Sequence, residues 1–137
     1  MIIKYDDMEN AFLFVSMQPP FTNTAILCKE TGEIYYESGY GDSDELPEDI
    51  DDEKYIGIPH KNDLDVGRNL VFEFVSQYMQ DDQEKVYDIF RRKGACSRYK
   101  HLLEKRGLLE KWYDYENKRT KEALLSWCAE NNIEIKG

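Results

Sequence analysis

From Asp6 to Ser16 the apolar residues Met8, Ala11, Phe12 and Val15 fall three and four positions apart, which places them on one stripe of a helix. Pro19 and Pro20 end that pattern, because proline cannot continue a helix and pushes its predecessor toward extended geometry. From Thr24, the run Ala25-Ile26-Leu27-Cys28-Lys29, the pair Thr31-Gly32 and the run Glu33-Ile34-Tyr35-Tyr36-Glu37 predict strand, tight turn and strand. Residues 39–52 then form a polar loop rich in glycine and acid, the segment the sequence marks as most mobile, with Pro47-Glu48-Asp49 opening a helical turn. Lys54 to Pro59 predicts a third strand, with Ile56 and Ile58 on one side.

The remainder reads as helix. Leu70, Val71, Phe74, Val75 and Tyr78 give Val66–Met79 a wide apolar face, and Val86, Tyr87, Ile89 and Phe90 do the same for Gln83–Lys93, which stops at Gly94. Ala95–Arg106 offers Cys96, Tyr99, Leu102 and Leu103 before Gly107. Leu108–Glu130 begins with Leu109, Trp112 and Tyr113 and resumes with Ala123, Leu124, Trp127 and Cys128. Between these, Glu116, Arg119 and Thr120 interrupt the same stripe, and a polar side chain facing a core must find a partner there.

These elements predict one α+β domain over residues 1–137: a small antiparallel sheet of about three strands with an N-terminal helix, and a helical half of four helices. Residues 1–62 hold the first helix, the sheet and the acidic loop, and 63–137 hold the helical half. The loop at His60–Asp65 is the one junction the sequence suggests between them.

Charge changes this picture more than length or composition do. With 137 residues, 41% of them hydrophobic, the chain can bury a core without staples. No run reaches the ~20 apolar residues of a membrane span, and the N-terminus has no signal-peptide order, so a soluble cytoplasmic protein is expected with no membrane partner. Cys28, Cys96 and Cys128 are odd in number and widely spaced, which suits reduced thiols better than a disulfide framework or a zinc site. The net charge of −10 argues against bulk binding to nucleic acid. The charge is unevenly spread, however: residues 37–53 carry nine acids and no base, whereas residues 91–121 carry eleven bases and four acids.

Candidate chemistry is sparse. The phosphate loop, the dinucleotide fingerprint and the esterase elbow are all missing, so neither these enzyme classes nor a cofactor is expected. Cys96, near a helix start and followed by Arg98, Lys100 and His101, is the best nucleophile candidate, but its stripe with Tyr99 and Leu103 favours an inert, packed thiol. His101 reads as solvated. Asp42, Asp44, Glu45, Asp49, Asp51, Asp52 and Glu53 offer oxygen ligands without the order of a calcium loop, so no metal site is expected there.

The basic stretch is the stronger signal. Arg91, Arg92, Arg98, Lys100 and Arg119 are the candidate anion-binding residues, because arginine grips phosphate or carboxylate with two parallel hydrogen bonds. Tyr99, Trp112 and Tyr113 are the candidate aromatic support, although core positions at a helix–helix crossing are the favoured reading for Tyr99 and Trp112.

Several short motifs carry a resemblance: Thr31-Gly32-Glu33-Ile34, Tyr55-Ile56-Gly57-Ile58-Pro59, Lys93-Gly94-Ala95 with Arg98-Tyr99-Lys100, Trp112-Tyr113-Asp114-Tyr115 with Arg119, and Trp127 with Glu130-Asn131-Asn132-Ile133-Glu134. In this order and spacing the chain resembles the uncharacterised protein family numbered 0158, small bacterial proteins with no assigned reaction. Cys96 and Ser97 stand where that family has aromatic and basic residues, and Glu116 stands where an arginine is usual. Arg98, Lys100, Trp112 and Arg119 match.

The sequence therefore favours a non-enzymatic binding or regulatory module whose 91–121 stretch meets an anionic protein or nucleic acid. Two alternatives stay open: a metal-dependent hydrolase or nuclease using the acidic-loop carboxylates, and a protein that self-associates through its opposite poles.

Overall fold

In the first helix, the buried residues Tyr5, Met8, Ala11, Phe12 and Val15 follow the spacing read from the sequence. This is α1, Tyr5–Ser16, in a computed structural model that describes residues 2–41 and 43–136. Asp42 of the acidic loop lies outside the described residues. The two prolines follow directly, and Asn23, buried beyond them, donates through Nδ2 to the Phe14 carbonyl at 3.1 Å and so ties the turn back onto α1.

The predicted hairpin forms. Strands β2 (Thr24–Cys28) and β3 (Ile34–Glu37) pair antiparallel from Thr24 opposite Glu37 to Leu27 opposite Ile34. Gly32 closes the connection at φ 82°, a conformation that favours glycine, and donates to the Cys28 carbonyl at 2.8 Å. Strand β4 (Tyr55–Gly57) pairs antiparallel with the other edge of β2, giving the order β3-β2-β4. The central strand turns Ala25 and Leu27 inward, both fully buried.

One pairing has no counterpart in the sequence reading. Ile2–Lys4, here β1, runs parallel to Glu134–Lys136, here β5, with Ile3 opposite Ile135. The chain reaches β5 through a left-handed residue after the last helix: Asn132 has φ 59° and donates to Ala129, while Ile133 donates to the Cys128 carbonyl at 2.8 Å. This pair of bonds helps to satisfy the carbonyls of the last helical turn.

His60 is a structural histidine. Asn62 donates its backbone N–H to Nδ1 at 3.0 Å, so Nε2 carries the proton and donates to the Gln18 carbonyl at 2.8 Å. Both ring nitrogens are thus engaged by backbone.

Four helices complete the α+β fold: α2 (Arg68–Tyr78), α3 (Gln83–Phe90), α4 (Ala95–Arg106) and α5 (Leu109–Glu130). Two details differ from expectation. Helix α3 stops at Phe90 rather than Lys93 and buries only Val86 fully, because Arg91–Lys93 form a turn into Gly94 at φ 74°. Cys96 is exposed, not packed, since it lies in the first turn of α4, ahead of the buried Tyr99, Leu102 and Leu103.

The chain divides into two compact units, one of Met1–Leu64 with Ala123–Gly137 and one of Asp65–Glu122. The second has an aromatic interior. Trp112 meets Phe74 at 5.3 Å and Tyr99 at 5.2 Å between ring centroids, both edge-on, and Phe74 meets Tyr115 at 5.2 Å. Among the described residues, no helix is long and apolar enough to cross a membrane.

Candidate anion site

Helices α3 and α4 are joined by a short turn at Gly94, so side chains one turn apart on each line a common cleft. Lys85 and Ile89 come from α3, four residues apart. Arg98, His101, Leu102 and Lys105 come from α4 at offsets of three, four and seven, and Ser97 joins them. The cleft has a volume of about 360 Å³. Its floor is apolar, with Leu102 buried and Ile89 half-buried. Its remaining side chains are three cations, a histidine and a hydroxyl, and among the described residues no carboxylate lines it.

The other candidate basic residues are placed differently. Arg91 pairs with Asp88 at 3.3 Å in full exposure, where an ion pair adds little. Arg92 is exposed in the turn before α4. Lys100 lies over the Tyr113 ring, 5.8 Å from its centroid. Arg119 lines a separate cleft with Gln77, Tyr78, Lys111, Asp114, Tyr115, Lys118 and Glu122. There its Nη1 donates to Glu73 and its Nε lies 3.8 Å from Glu122. The hydrogen bond to Glu73 holds the guanidinium pKa above its ordinary value, and burial followed by the Glu73 charge raises that of Tyr115. Arg119 is therefore the interrupting polar residue whose partner the sequence demanded. The structure does not bring Arg98 and Arg119 to one site.

Of the aromatic candidates, Tyr99 and Trp112 take the core positions their spacing favoured and not a supporting place in the cleft. Each is 3% exposed, within the rings around Phe74, so neither presents a face to a ligand. Of the three candidate rings only Tyr113 is exposed. The Tyr99 hydroxyl is buried with no hydrogen-bond partner among the described residues, and burial together with the Glu116 charge pushes its pKa well up.

The sequence reading missed Lys85 and set His101 aside. Both carry a signal: residues 98, 101, 102 and 105 repeat at helical spacing, and 85 and 89 share a face of the preceding helix.

The thiols differ from one another. Burial pushes the Cys128 thiol up to about 11. At Cys28 burial acts in the same direction, but hydrogen bonds from the Thr31 hydroxyl and the backbone of Thr31 and Glu30 outweigh it and lower the thiol. In the acidic loop Asp49 is engaged by Lys54 at 2.9 Å and by the Tyr55 hydroxyl at 3.0 Å. No group of three potential ligands among the described residues is gathered to hold a metal ion.

Neither a curated protein nor a solved structure matches the chain. A family model, that of the uncharacterised protein family UPF0158, matches residues 29–136, a span that takes in β3, β4, the α3–α4 cleft and α5. The chain belongs to the uncharacterised protein family UPF0158.

Proposed function

We propose that the protein is a non-enzymatic binding module of the bacterial cytoplasm whose α3–α4 cleft receives an anionic group. The observation that carries this reading is the lining of that cleft: Lys85, Arg98, His101 and Lys105 converge over an apolar floor without a carboxylate among them. In such a setting Arg98 supplies a planar pair of donors and the two lysines supply point charges. Charge-assisted hydrogen bonds contribute about 1.5–3 kcal/mol each, enough for one arginine to change affinity by a factor of about ten. Three free cysteines, two of them buried, support a reducing compartment.

Titration with inorganic tripolyphosphate across a salt series tests the proposal. Binding is expected at low ionic strength and should weaken as salt rises. Arg98→Ala should lose it about tenfold or more, whereas Arg119→Ala, whose guanidinium is held by Glu73, should stay within about twofold. No binding at low salt, or equal losses in the two variants, overturns the reading.

A further inference from the structure

We infer that the partner of the α3–α4 cleft is the acidic segment of a second copy of this chain, an inference that rests on the anion-binding reading above. The chemistry of the cleft narrows its ligand. Among the described residues that line it, the His101 imidazole is the one ring, and Tyr99 and Trp112 are buried, so a single-stranded nucleic acid finds no tyrosine, tryptophan or phenylalanine face on which to stack successive bases. An apolar floor of Ile89 and Leu102 beneath the cationic rim of Lys85, Arg98, His101 and Lys105 fits an acidic peptide that also carries aliphatic side chains.

The chain itself contains such a segment. Residues 44–53 read Asp-Glu-Leu-Pro-Glu-Asp-Ile-Asp-Asp-Glu, seven acids with no base, interrupted by Leu46 and Ile50 four positions apart. Three of the carboxylates already serve the fold, Asp44 accepting the Tyr36 backbone N–H, Asp49 accepting from Lys54 and Tyr55, and Asp52 accepting the Lys54 backbone N–H. Glu45, Glu48, Asp51 and Glu53 are exposed, and Leu46 and Ile50 are only half-buried. Four exposed carboxylates flanking two aliphatic side chains are the chemical complement of a rim of three cations and a histidine around an aliphatic floor. The net charge of −10 makes two copies repel at long range, but at about 0.1 M salt that repulsion is screened beyond roughly 10 Å, while the local attraction acts at contact.

Two variants test the inference by complementation. Lys85→Glu with Arg98→Glu and Lys105→Glu reverses the cleft and leaves the segment intact. Glu45→Gln with Glu48→Gln, Asp51→Asn and Glu53→Gln neutralises the segment and leaves the cleft intact. Sedimentation and light scattering at about 0.1 M salt should give the unaltered protein a mass above the monomer that falls to the monomer at about 0.5 M. Each variant alone should be monomeric with an unchanged circular dichroism spectrum. An equimolar mixture should recover dimers, because one copy offers a cleft and the other a segment. A folded mixture that stays monomeric, a cleft variant that associates like the unaltered protein, or an unaltered protein that is monomeric at 0.1 M salt overturns the inference. A monomer that still binds tripolyphosphate through Arg98 overturns this inference alone, and one that binds nothing overturns the anion site as well.

Discussion

Arg98 and Arg119 lie in the same basic stretch of sequence and meet opposite surroundings. Arg119 reaches Glu73, 46 residues earlier in the chain, and lies near Glu122 one turn away. Arg98 projects into a cleft whose other polar residues are Lys85, Ser97, His101 and Lys105. A run of basic residues therefore does not by itself make an anion site. What decides is whether another element brings a carboxylate within reach, and α2 does so for Arg119 while α3 brings Lys85 to Arg98. The first arginine is part of the scaffold and the second remains available.

The aromatic interior adjoins both arrangements, and disturbing it should have the largest effect. Trp112 touches Phe74 on the side of the Glu73 network and Tyr99 on α4. Trp112→Ala should cost about 3–5 kcal/mol, read as a lower urea midpoint, because it empties a fully packed position. A loss below about 1 kcal/mol would mean that the surrounding rings refill the space.

The two arginines should themselves respond differently to removal. Arg119→Ala should reduce stability by no more than about 1 kcal/mol, since both it and Glu73 are partly exposed and screened. Arg98→Ala should stay within about 0.5 kcal/mol, as a surface change that removes no hydrogen bond or ion pair among the described residues. A double-mutant cycle with Glu73→Gln isolates the pair term for Arg119, and the same cycle with Arg98 should give a coupling near zero. Equal couplings would mean that Glu73 does not hold Arg119 in preference to Arg98.

A second scaffold pair gives this contrast a pH dependence. Arg106 donates from Nε and Nη2 to Asp82 at 3.0 and 2.9 Å, and that hydrogen bonding lowers the Asp82 pKa below its ordinary 3.8. A depressed carboxylate stabilises the fold at pH values above its unfolded pKa, and the contribution is lost as pH falls through the folded value. The difference in urea midpoint between the unaltered protein and Arg106→Gln should thus be constant near neutrality and shrink below pH 3.8. A difference that grows on acidification would contradict the pairing.

Local features of both regions were legible in the chain. The stripe of α1, the Thr31-Gly32 turn and the placement of Tyr99 and Trp112 at core spacing follow from residues within a few positions of one another. The need of Arg119 for a partner was legible too, but the identity of Glu73 was not, because a distant helix supplies it. For the same reason the β1–β5 pair escaped notice: three residues at each end carry no alternation, and their pairing joins Ile2 to Glu134. Cys96 was misjudged because helical spacing assigns a face without saying how far along the helix its neighbours extend. Lys85 could have been found by asking which residues of the preceding helix face positions 98 and 102 once Gly94 turns the chain.

The one change expected to leave stability equal or higher concerns the hydroxyl of Tyr99, which lies beneath α4 in the aromatic interior. It is buried without a hydrogen-bond partner among the described residues, and its pKa is raised first by burial and then by the Glu116 charge. Leaving a buried donor unmatched costs about 1–3 kcal/mol, part of which the tyrosine recovers through the packing of its ring. Tyr99→Phe keeps that ring against Trp112 and Phe90 and removes only the oxygen. The variant should therefore be as stable as the unaltered protein or more stable by up to about 1 kcal/mol, with tripolyphosphate affinity unchanged, because the ring lies under the cleft's helix and does not line the cleft. A loss of stability would show that the hydroxyl has a partner such as a bound water, and a loss of affinity would show that the interior and the cleft are coupled through α4.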